Sequence, residues 1–197
     1  CIGCGDCVVA CKTENKVPAG LNRDWVVEAT SGRYPDLRTE FRSERCNHCS
    51  HATCVTSCPT GASHHWKGTN IVLVAAEKCT GCRLCVDACP YEGVLWFNED
   101  LNIAQKCTGC AHLLDDGWKE PRCADACPTL AIKFMDEDEA KELIAKADVL
   151  KPEIDDKVKP RVYYLGLPKK FIAGTVYDPV EEEVVIGAAC TLKPADG

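Results

Sequence analysis

Sixteen cysteines arranged in four sets of four constrain this chain more than anything else in it. The sets are Cys1, Cys4, Cys7 and Cys11; Cys46, Cys49, Cys54 and Cys58; Cys79, Cys82, Cys85 and Cys89; and Cys107, Cys110, Cys123 and Cys127. A seventeenth, Cys190, stands apart. The first and third sets share the spacing C-x2-C-x2-C-x3-C, while the second and fourth lengthen the middle gap to four and twelve residues. Pro59, Pro90 and Pro128 follow the last cysteine of sets two to four. Gly3, Gly81 and Gly109 hold the third position of three sets, where the missing Cβ lets backbone N–H groups approach a ligand closely.

Disulfides would leave an odd thiol and would not explain the repeated triplets. Zinc sites use two C-x2-C pairs per metal, not triplets with an outlying fourth thiol. Reactive cysteines do not come in four matching sets. Three thiolates in a seven-residue loop, with a fourth that reaches the neighbouring cluster, is the spacing by which bacterial ferredoxins hold iron–sulfur cubes. All sixteen cysteines are therefore candidate iron ligands, enough for four 4Fe–4S clusters and no three-iron centre. Spacing alone leaves the pairing open. Set one can join set two and set three set four, or set one can join set four around an inserted unit made of sets two and three.

The rest of the chain excludes other chemistries. Net charge is −7, with no basic stripe of the kind that binds nucleic acid. No apolar run approaches the ~18 residues of a membrane span. No glycine-rich nucleotide loop and no G-x-S-x-G nucleophile motif is present, so substrate chemistry is expected on a partner chain. Short strands are expected at 71–74, 94–97, 102–105 and 131–135, the middle two forming a hairpin around a polar turn. One clear helix is expected over 136–150, capped by Asp136 with Glu139 at the capping-box position. Residues 151–160, polar and bounded by prolines, read as a linker, and 161–166 as a strand docking back. The fold class is α+β.

The quartets and their intervals resemble the iron–sulfur (beta) subunits of the dimethyl-sulfoxide-reductase superfamily of molybdenum and tungsten bis-pterin enzymes, polysulfide, thiosulfate and arsenate reductases among them. The resemblance rests on CIGCGDCVVACKTEN (1–15), CNHCSHATCVTSCPTGA (46–62), CTGCRLCVDACPYEGV (79–94), QKCTGCAHLLDDG (105–117), PRCADACP (121–128) and KPRVYYLG (159–166). It implies nested pairing. Cys1, Cys4 and Cys7 would share a cluster with Cys127, and Cys107, Cys110 and Cys123 with Cys11. Cys46, Cys49 and Cys54 would pair with Cys89, and Cys79, Cys82 and Cys85 with Cys58. Residues 1–45 and 98–150 would form one ferredoxin-like unit and 46–97 an inserted second, followed by the linker and docking strand at 151–170.

The hairpin pattern of 171–197 is similar to the opening of the small immunoglobulin- or transthyretin-like β-domain that ends the pyrogallol–phloroglucinol transhydroxylase type of beta subunit. Gly174, Val176, Asp178, Gly187, Ala188 and Leu192 fit its strands. That type carries three clusters, whereas all four quartets are complete here. The implied partner is a large molybdopterin catalytic subunit carrying the bis-pterin guanine dinucleotide, with a membrane anchor or soluble donor as a further partner; a free-standing polyferredoxin is an alternative, against which the long segments 12–45 and 59–78 count. A cytoplasmic location is favoured, the periplasm being the alternative. Lys12, His48, His51, Arg83, Lys106 and His112 lie inside the motifs and are candidates for tuning the clusters. His64 and His65 read as surface or interface, and Cys190 as a small buried hydrophobe. Because ferredoxin-like units place a strand before the first ligand, the natural N-terminus is expected to precede Cys1.

Overall fold

The computed structural model describes residues 1–167 together with 177–178 and 183–184. Its framework is four separate two-stranded antiparallel ribbons with short helices between them. The first five helices are short because each lies at a ligand loop. α1 (Asp6–Glu14) carries Cys7 and Cys11. α2 (Thr53–Thr56) carries Cys54, α3 (Leu84–Asp87) Cys85 and α5 (Arg122–Asp125) Cys123. α4 (Ala111–Asp115) begins directly after Cys110. α1 packs on α5, and α2 packs on α3.

The longest ribbon joins β1 (Asp24–Ser31) to β2 (Arg38–Arg45), with Asp24 opposite Arg45 and Ser31 opposite Arg38. β3 (Ser63–His65) pairs with β4 (Val72–Val74), and His65 faces Val72. β5 (Trp96–Asn98) pairs with β6 (Ile103–Gln105) around the expected polar turn, where Asn98 Oδ1 accepts the Leu101 N–H at 3.0 Å. Val72, 1% exposed, centres an apolar cluster with Ala52, Cys54, Cys85, Leu95 and Ala104. A second cluster joins Cys46, Tyr91, Val94 and Val158.

Four expectations change. Residues 131–135 form no strand: they have no ladder partner among the described residues, and Phe134 and Met135 stay exposed. The long helix is only α6 (Glu137–Ile144). Asp136 sits at its N-cap in an extended conformation but makes no capping side-chain hydrogen bond. Beyond it, Asp148 and Tyr164 exchange two backbone hydrogen bonds of 2.8 Å, so a tertiary bridge replaces the last turns. That bridge is the only part of the expected 161–166 strand that pairs. Residues 151–160, read as a linker, fold as a 3-10 turn and α7 (Asp155–Val158). They strap onto the second quartet, because Ser50 and His51 donate backbone N–H groups to Lys159 and Val158 and Val158 is buried. Of the C-terminal hairpin, Tyr177 pairs with Val184 and Asp178 with Glu183. Cys190 and the rest of that expectation lie outside the described residues.

Candidate functional site: the cysteine cages

The ligand loops need left-handed backbone. Gly3 adopts φ +74° and a Cβ there would meet the Phe41 ring at 2.5 Å; Gly81 adopts φ +75° against Asn102 Oδ1 at 2.5 Å. In the second quartet the same position is His48, at φ 43°. These turns aim backbone donors at sulfur: His48 N–H at Cys46 Sγ and Gly109 N–H at Cys107 Sγ, both at 3.4 Å.

Every cysteine among the described residues is free. A cavity of about 1030 Å³ is lined by all four thiols of the first quartet and all four of the fourth. A small second cavity is lined by Cys58, Cys79, Cys82 and Cys85. Burial and neighbouring thiols perturb several of these groups. Burial, then Cys107, Asp24, Cys123 and Cys110, pushes the Cys11 thiol up to about 12. Burial, then Cys46, Cys54 and Cys89, pushes Cys49 up to about 12. Burial, then Cys54, Cys58, Cys79 and Cys82, pushes Cys85 up to about 11. The last cysteines of sets two and four behave differently. Slight burial raises Cys58 and Cys127, but hydrogen bonds from the Ser63 N–H and Thr60 to the first, and from the Ile132 N–H and Thr129 to the second, together with further backbone N–H groups, lower both.

Among the described residues, no three Cys, His, Asp or Glu side chains converge on one point as ligands of a single ion do. Thiols that line a shared cavity without meeting, with N–H donors directed at them, fit a cluster that bonds each sulfur to a different iron.

The proposed tuning residues divide. Lys106 is 2% exposed, and its ammonium donates to the carbonyls of Val72 and Cys107, the latter at 2.9 Å. His48 accepts the Val72 N–H at Nδ1 (3.0 Å), and burial, then Lys106 and Arg45, holds its pKa well below the ordinary imidazole range. The other four point away from sulfur. Lys12 bonds the Leu21 carbonyl at 2.6 Å, Arg83 pairs with Glu99 at 2.7 Å, His112 pairs with Glu14 at 3.0 Å, and His51 is exposed. His64 and His65 are half-buried residues of β3.

Sequence reasoning passed over Asn15, Asp24, Ser43 and Arg45. Asn15 donates toward Cys11 Sγ at 3.7 Å. Arg45 donates to Cys123 Sγ at 3.0 Å. Burial works against the Arg45 charge, yet Asp24 and the Cys123 and Cys107 thiolates hold its pKa above the usual guanidinium value. The one available signal was the position of Arg45 directly before Cys46.

Fold and thiol arrangement define an iron–sulfur protein of dicluster-ferredoxin type. Two family models, each described as a 4Fe-4S dicluster domain, match residues 1–62 and 37–137. Protein NrfC of Escherichia coli K12 is 38% identical over 168 residues, 83% of this chain and 75% of that protein. The thiosulfate reductase electron transfer subunit PhsB of Salmonella typhi is 38% identical over 157 residues, 78% of this chain and 81% of that protein. The pyrogallol hydroxytransferase small subunit of Pelobacter acidigallici is 35% identical over 213 residues, covering 98% of this chain and 75% of that subunit. The chain belongs to the iron–sulfur electron-transfer (beta) subunits of the dimethyl-sulfoxide-reductase superfamily.

Proposed function

We propose that the chain relays electrons through four 4Fe–4S clusters, to or from a large catalytic subunit that carries a molybdenum or tungsten bis-pterin cofactor. The observation that carries the reading is the grouping of thiols. Cys11 is perturbed by Cys107, Cys110 and Cys123, Cys49 by Cys46, Cys54 and Cys89, and Cys85 first by Cys54 of the adjoining set and then by Cys58, Cys79 and Cys82. The packing of α1 on α5 and of α2 on α3 supports the same nested ligand sets. Cys1, Cys4, Cys7 and Cys127 complete the scheme, and all four line the larger cavity.

When bound, each cluster supplies reversible one-electron storage, with a potential set by hydrogen bonds, charge and solvent exposure. The chain supplies the rest. Its thiols fix the sites, and buried Lys106 and Arg45 place positive charge beside sulfur-bearing loops. Cys1, Cys4 and Cys82 are exposed, which gives relay ends that partners can reach. Among the described residues no helix is long and apolar enough to cross a membrane.

For the partner's reaction we favour phenolic hydroxyl transfer or dehydroxylation in the cytoplasm. Similarity to the pyrogallol hydroxytransferase small subunit, running through the tail, supports that choice. The complete quartets favour a second reading, the beta subunit of a sulfur- or arsenic-oxyanion reductase. The test is anaerobic purification of the native complex, with mass spectrometry and metal analysis of the co-purifying large subunit. The relay reading expects molybdenum or tungsten in that subunit and cluster signals that respond to its substrate. A chain isolated with no large partner and neither metal overturns it.

A further inference from the structure

Three side chains from the β1–β2 ribbon lie between two of the proposed ligand sets. Arg45 donates through Nη1 to Cys123 Sγ at 3.0 Å. Its Nη2 makes an ion pair with Asp24 Oδ2 at 3.3 Å and donates to the Ser43 hydroxyl. Ser43 in turn donates to Asp24 Oδ1 at 3.1 Å and lies 3.7 Å from Cys7 Sγ. The bridge is dry: the Asp24 side chain is 2% exposed and that of Arg45 12%. Asp24 and Arg45 face each other across the ribbon, so the backbone register sets their positions.

We propose that Arg45 sets the reduction potential of the cluster assigned to Cys11, Cys107, Cys110 and Cys123, holding it above that of the neighbour assigned to Cys1, Cys4, Cys7 and Cys127. The inference rests on the ligand sets of the proposed relay. An added electron makes a cluster more negative. A guanidinium donating to a ligand sulfur in a low-dielectric interior therefore stabilises the reduced state. The other end of the bridge carries the opposite sign. Ser43 has one proton and directs it to Asp24, so Cys7 faces a hydroxyl oxygen backed by a carboxylate. One ion pair thus pushes two adjacent potentials apart and gives electrons a preferred resting place on the fourth-quartet side. The planar fork is essential, because a lysine ammonium cannot span Cys123 and Asp24 in the same geometry.

The test is an EPR-monitored redox titration of the complete complex carrying Arg45→Gln, Arg45→Lys or Asp24→Asn. Iron content is measured in each, and the affected cluster is identified as the one whose signal changes in Cys123→Ser. In Arg45→Gln the reduction equilibrium constant of that cluster falls about tenfold or more, a shift of about 59 mV for one electron. Arg45→Lys gives a smaller fall in the same cluster. Asp24→Asn raises the neighbour's potential and narrows the gap. A fully loaded Arg45→Gln complex with unmoved potentials overturns the inference, as does an equal shift of every cluster. Should Arg45→Gln fail to load iron, unmoved potentials in the other two variants overturn it equally. A wild-type complex without cluster signals defeats the relay reading itself, a distinct result.

Discussion

Lys106→Met removes a buried cation that ties the fourth ligand loop to β4. Val72 faces His65 in the β3–β4 register, but its own N–H and C=O turn elsewhere: the N–H goes to His48 Nδ1 and the C=O receives the Lys106 ammonium. The same ammonium donates to the Cys107 carbonyl at 2.9 Å. Methionine matches the stem of lysine in volume, so the packing survives and the loss falls on the two acceptors. A buried acceptor left without a donor costs about 1–3 kcal/mol. The Val72 carbonyl takes most of that cost, while the half-buried Cys107 carbonyl can turn to water. Relief from desolvating the ammonium offsets part of the sum. The net destabilisation of the β3–β4 edge is about 2–3 kcal/mol. At about 1.4 kcal/mol per factor of ten, that is roughly 30- to 150-fold faster exchange of its amides. Hydrogen exchange on the anaerobic complex reads this directly. The Trp66 and Val72 amides, bonded to the Ile71 carbonyl and to His48, should accelerate, while those of α6 do not. Exchange at Trp66 and Val72 within about threefold of wild type would refute the reasoning.

Three further outcomes are expected. Gly81→Ala lowers cluster occupancy more than Gly5→Ala: both positions have positive φ, but a Cβ at residue 81 meets Asn102 at 2.5 Å while residue 5 opens on free space, and iron analysis compares them. Arg83→Ala costs less than about 1 kcal/mol in chemical denaturation, since its pairing with Glu99 is exposed and solvent-screened. The third concerns pH. Burial and neighbouring thiols raise Cys11, Cys49 and Cys123 to about 12 and Cys85 and Cys89 to about 11, so the iron-free fold holds their protons more tightly than the unfolded chain does. That contribution to stability is intact below the ordinary thiol value of 9.0 and is lost as pH rises through the folded values. Iron must displace the same protons, so reconstitution followed by cluster absorbance should be more complete at about pH 8.5 than at about pH 6.5.

The sequence made the candidate ligands legible because the iron–sulfur spacing is local: three thiols and a turn lie within seven residues. It also placed β4 and the β5–β6 ribbon, where β-branched or aromatic runs flank a polar turn. What it hid depends on contacts distant in sequence. Arg45 reaches Cys123 only because β1 packs on α1 and α1 in turn on α5, so adjacency to Cys46 said nothing of its true partner. Lys106 could be nominated from its motif, but not its bonds to Val72, thirty-four residues away. Residues 131–135 have β-forming composition and no partner strand among the described residues, and composition alone cannot supply a ladder. The helix pattern over 136–150 was cut short by the pairing of Asp148 with Tyr164. The polar strap at 151–160 looked like a linker because its anchors, Val158 and Ile154, are two apolar residues among charges and prolines.

The central claim is that all sixteen quartet cysteines serve four cubane clusters. Iron and acid-labile sulfide, counted per chain on anaerobically purified complex after subtracting the partner's own contribution, test it most directly. The account predicts about sixteen irons and about sixteen sulfides, four clusters of four each. A count of about twelve would remove one quartet from the relay, and zinc in place of iron and sulfide would contradict the account altogether.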